Sequence, residues 1–119
     1  MGRSSMRLRA LATAAACGLA VLLAAPGSAS AADGDFTYRY SDLGGTPHIG
    51  GLIDPPSGVC ITLPEVEHPW TEPAHSPRNN TGSTATVFAD ADCEGPYFSL
   101  RPNGGHASER LKVRSVVFS

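Results

Sequence analysis

The chain has 119 residues, 41% of them hydrophobic and 17% charged, with a formal net charge of -2. That length holds one domain core and excludes a nucleotide-binding α/β fold, a kinase lobe or an α/β-hydrolase. The near-neutral charge excludes the basic surface that a nucleic-acid binder needs.

Residues 1–31 read as a secretory signal. Arg3, Arg7 and Arg9 give a positive start, an apolar run follows from Ala10 to Ala25, and Pro26-Gly27 ends it. Ala29-Ser30-Ala31 places small side chains where a signal peptidase cuts. The run is too short for a membrane span, which needs about 20 residues, and Cys17 sits inside it. Cleavage after Ala31 leaves 88 residues, 30 of them hydrophobic; six basic and eleven acidic residues give a charge of -5. The expected product, residues 32–119, is a single exported domain, extracellular, monomeric and free of the membrane.

Two cysteines remain, Cys60 and Cys93. In an oxidising compartment two thiols in so small a domain pair. The chain-entropy model assigns such a loop about 3.8 kcal/mol of stabilisation. No cysteine–histidine signature of a nucleophile surrounds either one.

No eleven-residue window keeps helical apolar spacing free of Pro and Gly, so no substantial helix is expected. Short strands are. Phe36-Thr37-Tyr38-Arg39-Tyr40 alternates aromatic with polar and puts three rings on one face. Gly44-Gly45-Thr46-Pro47 turns the chain into a Gly-interrupted strand from His48 to Ile53, and Val59–Leu63 gives a third. Thr84–Phe88, Tyr97–Leu100 and the β-branched run from Leu111 to Phe118 give three more, with an acidic turn at Asp90–Gly95. Six short strands separated by turns predict an all-β sandwich.

Between the halves, residues 64–82 carry Pro64, Pro69, Pro73 and Pro77 around Glu67, His68 and Trp70. Proline at that spacing predicts a stiff loop, with neither a central strand nor a helix. Trp70 is the only tryptophan of the chain. Two readings stand: a connector whose Trp lids one end of the sandwich, or a pre-ordered binding loop with Glu67, His68 and Trp70 as contact residues.

Phe88 with Gly95 seven residues later, and Ser115 before an apolar last strand, resembles the βγ-crystallin Greek-key signature. Tyr38 and Gly45 repeat the spacing. In that signature the glycine takes a positive-φ position, the aromatic packs over the folded hairpin, and the serine buttresses it. Thr62 is the candidate for the serine's role in the first half. The stretches Gly58–Leu63, Asn80-Thr81, Thr86–Phe88, Asp92–Gly95 and Arg114–Phe118 are similar to small secreted actinobacterial proteins of the bacterial metalloproteinase-inhibitor family. The resemblance implies two Greek-key motifs, about 35–63 and 84–119, joined by the Pro-rich loop. It implies an exported domain with a protease-inhibitory or unassigned role. Two functions are therefore expected as alternatives: inhibition of an extracellular peptidase by a substrate-like loop, or a structural role in the cell envelope on a wall component.

The inhibitors of that family have two disulfides and this chain allows one, so no reactive bond is carried over. Where calcium-binding crystallin relatives place Asn or Asp ahead of the serine, this chain has Leu111 and Lys112. Asp90, Asp92 and Glu94 lack EF-hand spacing, and the four histidines lack zinc-ligand spacing. Asn79-Asn80-Thr81 matches a glycosylation sequon. No nucleophile elbow or phosphate loop is present. A non-enzymatic protein with no cofactor and no metal is expected.

Overall fold

The first strand, β1 (Gly34–Ser41), buries Phe36 and Tyr38 completely and Tyr40 in part, as the two-residue alternation requires. The structure is a computed structural model describing residues 31–119. The predicted signal segment lies outside the described residues except for Ala31, which pairs with Pro56 in an isolated antiparallel bridge.

After β1 come β2 (Pro47–Ile53), β3 (Ile61–Thr62), β4 (Ala74–Thr81), β5 (Ala85–Phe88), β6 (Tyr97–Leu100), β7 (Gly105–His106), β8 (Lys112–Val113) and β9 (Ser115–Phe118). Single turns of 3₁₀ helix occupy Pro64–Val66 and Ala91–Cys93. Among the described residues all the strands lie in two antiparallel sheets. Sheet A has the order β2-β1-β4-β7, with β8 also on β4, and sheet B the order β3-β9-β5-β6. Each half of the chain therefore lends short strands to the other half's sheet: β3 pairs with β9, and β7 and β8 both pair with β4.

The core lies between the sheets. Phe36 of sheet A meets Phe118 of sheet B edge to face, with centroids 5.5 Å apart, and Val87, Leu100 and Val116 close around them. The Tyr38 ring takes the space where Gly50 has no side chain; a Cβ there would stand 2.5 Å from the ring. Cys60 and Cys93 form the expected disulfide.

Three strand expectations change. The segment 59–63 is strand only at Ile61–Thr62. The run from Leu111 to Phe118 breaks at Arg114, where the chain crosses from sheet A to sheet B. The largest correction concerns the loop expected at 64–82, because its second half is β4, an interior strand of sheet A.

Pro77 is tolerated in β4 because of a bulge. Thr37 faces Arg78 and Arg39 faces His75, so Ser76 and Pro77 together stand opposite Tyr38. Ser76 takes a φ of 52°, and the absent N–H of Pro77 falls where the ladder is already broken. The Pro77 carbonyl still accepts a bond from the Ala107 N–H at 3.1 Å.

Candidate functional site

The remainder of the Pro-rich segment, from Pro64 to Pro73, is a loop held at both ends and in the middle. Its first turn buries Val66. Glu65 Oε1 accepts a 2.7 Å hydrogen bond from the Tyr38 hydroxyl. Burial, with that bond second, pushes the Tyr38 phenol well above its ordinary pKa, so it stays a donor.

Arg114 holds the middle. Its Nη1 donates to the carbonyls of Val66 and His68, both at 2.8 Å, and to Thr71 Oγ1 at 3.2 Å. Its Nη2 donates to the Thr71 carbonyl at 2.6 Å and more weakly to that of Pro69 at 3.5 Å. Thr71 closes the loop on itself through its N–H and hydroxyl, both donating to the His68 carbonyl. A guanidinium offers five N–H donors in a fixed plane, and here they order a segment that has almost no regular structure. Arg114 was not among the residues expected to matter. Its partners are 43 to 48 positions away in sequence and are mostly backbone carbonyls, which leave no signature.

The loop displays Trp70, which is 73% exposed. The lid reading is therefore wrong: the indole covers no core. It stacks instead on His68, with ring centroids 4.3 Å apart and planes 9° from parallel. The loop and the β1–β2 hairpin border a cleft of about 330 Å³ lined by Ser41, Asp42, Leu43, Gly45, Trp70, Thr71 and Glu72. Glu67, expected beside Trp70, instead lines a separate hollow with Asp90, Asp92, Glu94 and Arg114, and reaches His68 only at 3.8 Å. The structure thus stacks His68 on Trp70, but of the three only Trp70 lines the cleft. The carbonyls of Val66, His68, Pro69 and Thr71 all turn toward Arg114, so this main chain does not offer the free, extended edge of a substrate-like loop.

The residues of the hairpin signature occupy structural positions. Gly95 has a φ of 80°, and a Cβ on it would lie 2.4 Å from Asp90 Oδ2. Ser115 is fully buried; its hydroxyl donates to the Asp90 carbonyl at 2.6 Å and accepts from the Cys93 N–H at 2.8 Å. Phe88 is half-buried and leans on Tyr97, with centroids 5.9 Å apart. Gly45 takes a φ of 85° in open space, so its need is conformational alone. Thr62 does not serve the first hairpin. Its Oγ1 accepts from the Asp92 N–H at 3.0 Å, adding a second brace to the turn that Ser115 holds.

The first hairpin uses Asp42 instead. Its Oδ1 accepts from the N–H groups of Gly44 and Thr46, both at 2.9 Å, and its Oδ2 lies 2.9 Å from His48 Nε2. The bond with His48 and those backbone donors hold the carboxyl below its ordinary pKa. The sequon asparagine is structural. Asn79 is fully buried, its amide donating to the carbonyls of Ser83, Leu100 and Arg101 and its Oδ1 accepting from Thr81. Among the described residues no three His, Cys, Asp or Glu side chains gather to hold a metal ion. No helix among them is long and apolar enough to cross a membrane.

The chain matches no protein-family model, and neither a curated protein nor a solved structure is significantly similar to it.

Proposed function

We propose that this is a secreted, non-enzymatic binding protein of βγ-crystallin-like build, similar to the actinobacterial metalloproteinase inhibitors, whose contact residue is Trp70. The exchange of β3, β7 and β8 between the sheets supports the double Greek-key reading, with β1–β4 as one motif and β5–β9 as the other. The contacts of Gly95 and Ser115 support it further. The disulfide, a bond that is rare outside oxidising compartments, supports export.

One observation carries the functional reading: an exposed tryptophan on a loop whose backbone is already fixed by Arg114. A contact residue ordered before binding loses little entropy when it docks, and tryptophan is the residue most enriched at binding hot spots. The partner class is an extracellular peptidase, entered by the Trp70 side chain rather than by a substrate-like main chain. The runner-up partner is a cell-wall component, favoured by the flat His68–Trp70 stack beside a cleft, a surface on which a sugar ring can lie.

Titration of the purified protein against secreted metallo-, serine and cysteine peptidases tests the first reading, with Trp70 fluorescence as a one-site reporter. The expected result is inhibition at micromolar concentration, weakened by at least ~30-fold in Trp70→Ala, a hot-spot loss of about 2 kcal/mol. Inhibition that Trp70→Ala leaves unchanged overturns it. Inertness toward all three peptidase classes, with co-sedimentation on isolated cell walls, selects the second reading.

A further inference from the structure

Sheet edges expose unpaired N–H and C=O groups, and proteins guard them with charge, proline or brevity. Among the described residues two of the four edges, β3 and the side of sheet A formed by β7 and β8, are made of two-residue strands, and β6 has four residues between Pro96 and Pro102. The fourth edge is different. Strand β2 runs for seven residues, carries no Asp, Glu, Lys or Arg, and leaves Ile49 66% and Ile53 81% exposed.

The free groups of β2 can be assigned. The Asp54 N–H donates to the Gly34 carbonyl, and the Thr46 carbonyl accepts from the Asp42 N–H. Even-numbered residues therefore face β1, and Ile49, Gly51 and Ile53 direct their N–H and C=O groups away from the sheet. Their side chains also share the outer face, beside Arg39, Thr37 and Asp35. The outward set Ile49, Gly51, Ile53 reads the same in both directions. Pro47 closes the run of donors at one end; at the other the chain leaves the strand at Asp54, with a φ of 47°, and the Pro55 carbonyl accepts from the Ala32 N–H at 2.8 Å.

We propose that two copies of this chain pair edge to edge through β2, antiparallel about a two-fold axis at Gly51. That register sets Ile49 against Ile53 of the second copy at both ends and Gly51 against Gly51 at the axis. Each outward pair exchanges both of its backbone bonds, the exposed isoleucines cover one another, and no like charges meet. A two-fold axis needs a patch complementary to itself, and a palindromic edge is one. An unrelated strand would find the same free donors but would have no reason to match the symmetric spacing of the two isoleucines about Gly51. This pairing replaces the monomer expected from the sequence.

Light scattering and sedimentation velocity on the purified protein across a concentration series test the pairing. The expected result is a doubling of mass. Gly51→Pro removes the central donor of each copy, and a Cβ at Gly51 meets only ordinary contacts, 3.5 Å and beyond. It should weaken association by ~10-fold or more. Ile49→Lys and Ile53→Glu should each weaken it. The double variant Ile49→Lys/Ile53→Glu should restore it, because this register sets the new ammonium of one copy against the new carboxylate of the other at both ends.

Circular dichroism reports whether each variant folds, and the exposed isoleucine variants decide the matter if the proline variant does not. A monomer up to millimolar concentration overturns the proposal. So does a dimer indifferent to Gly51→Pro, or a double variant no stronger than its singles.

Discussion

The two hairpins that begin the halves of this protein do the same topological work by different means. The first, between β1 and β2, is held by one exposed carboxylate, Asp42, and by packing of the strands behind it. The second, between β5 and β6, is folded back on itself and gripped three ways: the Ser115 hydroxyl, the Thr62 hydroxyl and the Cys60–Cys93 disulfide. The second needs the grip because it contains strained backbone. Asp92 and Cys93 both lie at positive φ, 60° and 57°, a region that costs non-glycine residues free energy. The first confines its positive φ to Gly45, where there is no such cost. Covalent and buried restraints thus gather on the half whose turn could not hold itself, and the other half keeps an open edge.

Breaking the disulfide should separate the halves most sharply. Cys60→Ala with Cys93→Ala is expected to lower stability by about 3.8 kcal/mol, measured by denaturant unfolding. Native-state hydrogen exchange should rise first in the Ala89–Pro96 turn and in β3, before β1 and β2. Uniform loss of protection would contradict the division. Ser115→Ala comes next. It strips a partner from the Asp90 carbonyl and the Cys93 N–H together, and should cost about 2 kcal/mol without changing the β1–β2 exchange rates.

What the sequence revealed and what it concealed follow the same physical line. Phe36, Tyr38 and Tyr40 were legible because an unbroken strand alternates, and the disulfide because two cysteines allow one pairing. Gly95 and Ser115 were picked out only through the resemblance to the hairpin signature, and their contacts are with the Asp90–Cys93 turn. Strand β4 was hidden by its own bulge. Its buried positions run Ala74, then Pro77, Asn79 and Thr81, so the alternation slips by one residue at Ser76. Two of those inward residues are polar and satisfy each other, and one is proline. Every local cue therefore argued for a loop. Of the candidate site, Trp70 and His68 could be picked out by type, but not the stack between them. Arg114 was concealed altogether, since a side chain that binds distant backbone carbonyls leaves no pattern of residue types to read.

The smallest expected effect tests the Asp42 side of the comparison. Its carboxyl is held below the ordinary value near 3.9 by His48, Thr46 and Gly44. A carboxyl whose folded pKa is depressed contributes stability that is fully present above the unfolded pKa. That contribution is lost as pH falls through the folded value. The first hairpin should therefore loosen only below about pH 4. Asp42→Asn keeps an oxygen to accept from Gly44 and Thr46 but cannot ionise. At pH 7 it should shift Tm by no more than about 2 °C, as befits an exposed pair. As pH falls from about 4 through the depressed folded pKa, the wild type loses its advantage and the two proteins should converge. Amide exchange at Gly44 and Thr46, followed from pH 7 to pH 3, reads this directly. A gap that widens on acidification would mean that the carboxylate charge is not what holds the turn, and that the two hairpins differ less than their contacts imply.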